Sequence, residues 1–547
     1  MSLIRKLLPL LLLLIGIAAD ASVTPRREVR AAVIRTDRGI DWPRGRVLMT
    51  SQQEAMRSLL RQLSDGGFNT VYLQVEASGT LLWTSDFLGR SPELAPDYDA
   101  VQFVLDECRY LGLSCHAMVD VLDLGTGGTM NPEYLVGYKA RRYLDPGNPD
   151  ARDYAISIYR ELLTRYDFDG LLLASLHYPT AETAAFDDAN SYYNYNPDYL
   201  PRDQWRRTRL DLFAYELSLM VRSVRPNIRL GVTTLAAYRK LPGYSAPSAY
   251  ASGLQDPIQW LRNGYVDYVA PLLDVNERDG FTDYLSSWIT AAEGSEILPM
   301  LSAASTDPSG EAWPLTTLTS QIATVRSESA LKGLALDHSV NYCGESETAS
   351  ELYAILADDL FYFDAHVPAT VWAGPSYPPE NVVQSYENGR YTVSWNAPFG
   401  APEPRYYAVY FADSRGRVDV ENSDNLVRAR VTENEFILDS DYAGLLFGVT
   451  AFNRGFSESE PVTADASGLD MVSTLSSRVV HWGTVVDIVS QQTIARVELY
   501  SLSGVKLRSI KIGDNAASIS VGDYPRGIYI IKAIYGDSSS ETYKIIR

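Results

Sequence analysis

The chain has 547 residues, 46% of them hydrophobic, enough to build more than one core, so a large domain followed by one or two small modules is expected. Its 48 basic and 68 acidic residues leave a net charge of −20, which repels phosphate backbones and anionic lipid headgroups and sets nucleic acid and acidic membranes aside as partners. The three cysteines, Cys108, Cys115 and Cys343, neither make a disulfide framework nor show zinc-type spacing, and read as small buried hydrophobes.

At the start, Arg5 and Lys6 precede an apolar run from Leu7 to Ala19 and an Ala19-Asp20-Ala21 end. This is the pattern of a secretory signal peptide over 1–21, too short to span a bilayer. The chain is therefore expected to be secreted or displayed at the cell surface, with no membrane span.

From residue 28 to about 367, short apolar runs alternate with amphipathic stretches at a spacing of roughly forty residues, the rhythm of repeated βα units. Strands are predicted at 30–36, 70–76, 114–120, 169–175, 228–235, 266–273, 297–302 and 334–338. Several are apolar almost throughout, which suits a parallel sheet buried on both faces. A helix is predicted over 51–63, with Ser51 as its cap and Glu54 closing a capping box. Eight such units predict an α/β fold of the (β/α)8 TIM-barrel class, with functional residues at the C-terminal ends of the strands. Beyond residue 375 the texture changes to proline, tyrosine and alternating apolar residues, predicting short strands separated by turns and hence two small all-β sandwiches, over 375–466 and 469–547.

Residues 143–170 carry Leu144-Asp145-Pro146-Gly147-Asn148-Pro149 at a helix start and Asp167-Phe168-Asp169-Gly170 at a strand start. With Gly39-Ile40-Asp41-Trp42-Pro43, Gln74-Val75, His116-Ala117-Met118, Trp205-Arg206-Arg207 and Asp267-Tyr268-Val269-Ala270-Pro271, this segment resembles the glycosyl-hydrolase-like family 10 barrels of secreted bacterial proteins. The resemblance implies a TIM barrel over 28–367 that acts on a glycan or polysaccharide. The segments of 375–466 resemble a fibronectin type III module. Those of 469–547, with Ala495–Gly504 and Gly527–Ala533 before a basic end, resemble the C-terminal sorting domain of type IX secretion cargo from Bacteroidetes, which implies a second partner in the secretion machinery.

The reactive letters depart from the family pattern. Where family strands continue Ile-His-Phe-Asp-Asp-Tyr-Phe-Tyr-Pro, this chain has Leu171 to Pro179 with Ala174 and Ser175 in place of both aspartates. Glycoside hydrolysis generally needs two carboxyl groups flanking the scissile bond, so the family mechanism does not transfer to these positions. Glu76 and Asp120, at the ends of neighbouring strands, are the candidate acid and base of a relocated site. Other candidate ligand contacts are Trp42, His177, Tyr178, Arg239, Asp274 and Asp337, together with Tyr192, Tyr193 and Tyr195 of the tyrosine- and asparagine-rich segment 181–200. No cofactor is implied, and no His, Asp or Glu cluster has metal-ligand spacing. Two readings stand: a hydrolase whose carboxylates have moved, and a non-catalytic glycan-binding or surface-assembly protein. Two close carboxyls at the barrel mouth would favour the first, and carboxylates tied up in internal pairs the second.

Overall fold

The computed structural model describes residues 26–546 apart from 46, 126–128, 181–184, 307–312, 371, 388–389, 413–415, 439–445, 465–476, 483–484, 502–504, 523, 525–527 and 537–538. The expected leader at 1–21 lies outside these residues. The chain divides into one compact unit of Arg26–Ile437 with Leu445–Gly468 and another that contains Leu469–Arg547.

The first unit begins with the barrel. Its parallel strands are β1 Val29–Ile34, β2 Thr70–Ala77, β3 Ser114–Asp120, β4 Gly170–Ala174, β5 Arg229–Thr234 and β6 Tyr268–Pro271, then β7, formed by Glu296–Ile297 and Met300–Ser302, and β8 Gly333–Asp337. Each pairs with the next in sequence, from Ala31↔Thr70 through Gly231↔Tyr268. Strand β7 joins β6 through Glu296↔Tyr268 and β8 through Met300↔Ala335, and β8 returns to β1 through Leu334↔Arg30, so the sheet closes. All eight predicted strands are found, with ends shifted by a residue or two. Between them run α1 Met49–Asp65, α2 Ala100–Tyr110, α3 Pro149–Arg165, α4 Ala189–Asn194, α5 Arg202–Val224, α6 Pro257–Arg262, α7 Phe281–Ala292 and α8 Leu315–Ser327.

Alternation along each strand divides the core in two. Inside the barrel lie Ala31, Val33, Tyr72, Met118, Leu172, Tyr268, Ala270, Leu298, Met300 and Ala335, while Leu73, Val75, Ala117, Val119, Leu171 and Leu173 join the helix-facing core. Large rings fill the N-terminal end of the interior, where Tyr72 meets His116 edge-on at 5.1 Å and Arg229 lies 4.7 Å over Tyr268. Gly170 and Gly231 make room for them, since a Cβ at either position would stand 2.2 Å from a ring atom of His116 or Tyr268.

Two helix starts show how the sequence sets local structure. Helix α3 opens as expected, with Pro149 in its first turn and the Asn148 side chain accepting from the Asp150 amide. Helix α1 differs: it begins at Met49, so Ser51 lies within the first turn and the capping position falls to Leu48, whose side chain has no acceptor. The expected capping box is therefore absent there.

The same unit continues into two β-sheets. One has the order Glu380–Glu387, Arg390–Asn396, Glu435–Leu438, and the other the order Leu426–Val431, Tyr406–Ala412, Leu446–Phe452, Val462–Thr463. They meet the N-terminal end of the barrel, where Asp169, just before β4, accepts from Arg405 at 2.5 and 2.7 Å and from the Cys115 amide at 2.8 Å. Burial pushes the Asp169 carboxyl up, and the Arg405 guanidinium more than offsets this, leaving it below the usual carboxylate range. Asp167 pairs with Arg454 and Arg225. Both aspartates thus fasten the base of the barrel.

In the second unit the strands Ser477–Trp482, Val485–Ser501, Ile528–Tyr535 and Ser540–Ile546 form an antiparallel sheet, with Lys506–Ser520 paired to Val485–Ser501. Alternate residues such as Val497, Leu499, Ile519, Ile531 and Ala533 make a core of their own. Both regions after the barrel are therefore all-β.

Candidate functional site

Because all eight strands are parallel, Glu76, Asp120, Ser175, Thr234, Asp274 and Asp337 all fall at the C-terminal rim of the barrel. The polar floor of that mouth is a network. Arg35, directly after β1, donates to both oxygens of Asp337, Nε at 2.8 Å and Nη2 at 2.6 Å. Asp337 is 2% exposed; burial pushes its carboxyl up, but Arg35 prevails and holds it below the usual range. The His338 ring lies 3.5 Å from the same carboxylate, and its backbone amide donates to it. Asp41 accepts from the amides of Arg35 and Val340, which ties the segment after β1 to the one after β8.

Gln74 bridges this cluster to Asp120. Its Oε1 accepts from the amides of Thr36 and Asp37, and its Nε2 donates to Asp120 Oδ2 at 2.9 Å. Burial pushes the Asp120 carboxyl up to about 6, with the pull of Arg35 opposing.

Glu76 stands apart from this network. The pairing of β2 with β3 shifts register between Gln74 and Glu76, so that Glu76 pairs with Val119, a residue of the helix-facing core. Its carboxyl meets the hydroxyl of Tyr159 on α3, and one oxygen, Oε2, has no partner. Burial above all, then the charge of Asp120, pushes it up to about 8. The two candidate carboxyls stand on adjacent strands and are electrostatically linked, yet Asp120 faces Arg35 and Gln74 while Glu76 faces α3.

The remaining candidates fall into three groups. Trp42 and Tyr178 are core residues, 2% and 0% exposed; the Trp42 indole donates to the Gln52 carbonyl, and Tyr178 is covered by Phe186 and Arg206, so neither ring face is open to a sugar. Tyr192 and Tyr195 serve the loop itself: Tyr192 packs edge-on to Trp205 and donates to the Leu200 carbonyl, and the Tyr195 carbonyl accepts from the Trp205 indole. Open to solvent are Tyr193, 87% exposed, and Asp274, while His177 is half-buried with Nδ1 at 2.9 Å from the Tyr178 carbonyl. Residues 181–184 of the tyrosine-rich segment lie outside the described residues. Arg239 lies 5.0 Å over the Tyr238 ring and 3.9 Å over that of Tyr250, which Arg207 also covers at 4.0 Å. Tyr250 belongs to the loop whose Gly253 carbonyl accepts from the Tyr178 amide, so this stack borders His177.

Ala174 is 3% exposed and faces the barrel interior beside Leu172. Ser175 follows with a left-handed backbone, φ 55°. The strand end that resemblance equips with two carboxylates is a methyl group and a hydroxyl.

Arg35, Gln74, Arg207 and Tyr250 were not among the sequence candidates. Strand parity was the available signal for the first two, because Arg35 continues the inward series Ala31, Val33 and Gln74 continues from Tyr72. Arg207 stands in the sequence only as part of Trp205-Arg206-Arg207, and Tyr250 has no local signal, since helix α5 and a distant loop bring the two together.

Residues 28–293 match the glycosyl hydrolase-like 10 family. Among similar proteins, the Escherichia coli (strain K12) glycosyl hydrolase DigH is 26% identical over 289 residues, covering 45% of this chain and 65% of that one. The Bacillus subtilis (strain 168) glycosyl hydrolase YngK is 23% identical over 319 residues, 52% of this chain and 62% of its own. The chain thus spans a little under two thirds of the length of each. Among solved structures, the PgaB (BpsB) glycoside hydrolase domain from Bordetella bronchiseptica aligns with a TM-score of 0.44 and 16% identity over 60% of this chain and 99% of that domain. Over residues 28–293 the barrel is thus similar to glycosyl hydrolase-like 10 domains.

Proposed function

We propose that this protein binds a glycan at the mouth of its glycosyl-hydrolase-like barrel without hydrolysing it. The observation that carries this reading is the state of the rim: β4 ends in Ala174 and Ser175, Asp337 is held by both arms of Arg35, and Glu76 is turned against Tyr159. Hydrolysis requires one carboxyl to protonate the leaving oxygen and a second across the bond. Asp120 is half-buried at the mouth, and its carboxyl, pushed up to about 6, has a proton affinity suited to general acid work. Recognition needs less: exposed rings such as Tyr193, the Arg239–Tyr250–Arg207 stack and hydrogen-bonding side chains on a rigid rim.

The value at Asp120 also sustains the alternative of a relocated hydrolase. The test is a panel of soluble glycans assayed for binding by calorimetry and for turnover by product analysis, with Asp120→Asn alongside. Binding without turnover, weakened by changes at Arg35 or Tyr193, is expected. Turnover abolished by Asp120→Asn would overturn the non-catalytic reading.

The proposal extends to where the protein works. Residues 1–21 direct export, the 375–466 region is a fibronectin type III-like spacer, and 469–547 is a type IX sorting tail that engages the secretion machinery and delivers the barrel to the cell surface. The support is the joint presence of a leader pattern and an all-β terminal unit with its own core. Deleting 469–547 is expected to leave a folded barrel retained in the periplasm; unchanged surface display would refute the sorting role. No described helix is long and apolar enough to cross a membrane.

A further inference from the structure

Arg207 of α5 and Arg239, in the segment after β5, share the ring of Tyr250, at 4.0 and 3.9 Å from its centre. The two guanidiniums therefore lie within about 8 Å of each other, the Debye length at physiological salt, so their repulsion is screened only in part. Among the described residues neither forms an ion pair. Arg207 donates from Nη2 to the Tyr250 carbonyl at 3.0 Å, while its Nε is buried with no hydrogen-bond partner. Arg239 is exposed, and its Nη2 donates to the Tyr238 hydroxyl at 3.4 Å. The carboxylates whose charge these groups feel are engaged elsewhere: Asp211 accepts from the Trp260 indole at 2.7 Å, and Asp256 accepts from the Tyr238 hydroxyl at 2.9 Å. A chain with a net charge of −20 thus keeps two uncompensated cations at one point beside its mouth. Arg239 also borders a cavity of about 750 Å³ against α6 and α7, whose wall includes Tyr244, Ser287 and Thr290. That volume suits a small ligand, and the carboxylate there, Asp283, accepts from the Tyr244 hydroxyl.

We infer that the Arg207–Tyr250–Arg239 stack is a subsite for an anionic group carried by the glycan, a carboxylate or a sulfate ester, with the sugar ring that bears it seated in the cavity beside Arg239. The inference rests on the glycan-binding reading of the mouth and adds the chemical class of the ligand. A guanidinium presents a planar fork of N–H donors that meets two oxygens of either anion at once. Stacking on Tyr250 and Tyr238 holds the forks in place beforehand, so little side-chain freedom is lost on binding. The net charge of the whole chain opposes a long phosphate array or an anionic bilayer, whereas a single anionic group on a sugar is governed by the two cations nearest to it. A neutral sugar would leave both cations without a counter-charge.

The test uses the full chain and three methyl β-D-glucosides that share one ring and differ at its sixth carbon, which carries an alcohol, a carboxylate or a sulfate ester. Their affinities are measured by NMR titration beside those of the glycan panel. The better of the two anions is expected to bind about tenfold or more tightly than the alcohol, the effect of one charge-assisted hydrogen bond, and to identify the group. Arg239→Gln should bring that ratio close to one, and Arg239→Lys should restore part of it. Arg239 is exposed, so its replacement is not expected to disturb the fold. Equal affinity for all three probes, or an anion preference that survives both Arg239→Gln and Arg207→Gln, would overturn the subsite, while binding on the panel leaves the glycan-binding reading standing. No binding of any probe or panel glycan would overturn that reading and the subsite with it.

Discussion

Replacing Arg35 by methionine removes the cation at the centre of the barrel mouth while keeping most of its length. Asp337 then loses two charge-assisted hydrogen bonds, at 2.8 and 2.6 Å, in a site where it is 2% exposed. At about 1.5–3 kcal/mol for each hydrogen bond to a charged group, and about 3–5 kcal/mol for breaking a buried pair from one side, the loss at pH 7 should be about 3–5 kcal/mol. The pH dependence identifies the cause. In the native protein the folded Asp337 carboxyl lies below its ordinary 3.8, so its contribution is fully present above that value and is lost as pH falls through the folded one. Without Arg35, burial acts unopposed by its strongest partner and the carboxyl moves above its ordinary value. The variant is then penalised most at neutral pH, and the gap narrows as pH falls through the variant's raised value, closing only below the native carboxyl's own. Urea denaturation followed by tryptophan fluorescence at pH 7 and 4.5 measures both quantities. Adding Asp337→Leu should restore most of the loss, because an apolar pair leaves no buried charge. A loss below about 1 kcal/mol, or one independent of pH, would refute the account of this pair as the mouth's main electrostatic element.

Glu76→Gln should stabilise the protein above pH 5, because a folded carboxyl raised to about 8 from 4.5 costs stability as pH rises through that window; the gain should grow toward pH 8, reach roughly 3–5 kcal/mol at most, and level off beyond, as chemical denaturation across pH would show. Gly170→Ala should cost about 2–3 kcal/mol and lower Tm, since the new Cβ would stand 2.2 Å from His116 Nδ1 and 2.8 Å from the Arg229 carbonyl, neither free to retreat; an unchanged Tm would show that the interior layer yields and refute this close packing.

The sequence by itself determined the barrel. Eight apolar runs at regular spacing left one arrangement in which strands buried on both faces alternate with helices, and the order of pairing followed from chain order. It also placed the rim residues at one end, since parallel strands share a direction, and it registered the missing carboxylates directly as Ala174 and Ser175. What it did not determine was which way each side chain at the rim is spent. Trp42 and Tyr178 carry the right chemistry for a sugar platform but are enclosed by segments far away in the chain, and Tyr192 is claimed by Trp205. A one-residue register shift in β2 removes Glu76 from the face that strand parity assigns it and hands it to Tyr159 of α3. Hydrophobic periodicity is a local property repeated along the chain and survives translation into sequence, whereas charge pairing, pKa and the facing of a single side chain depend on atoms brought together across hundreds of residues, as Arg35 and Asp337 are, and those only the tertiary structure decides.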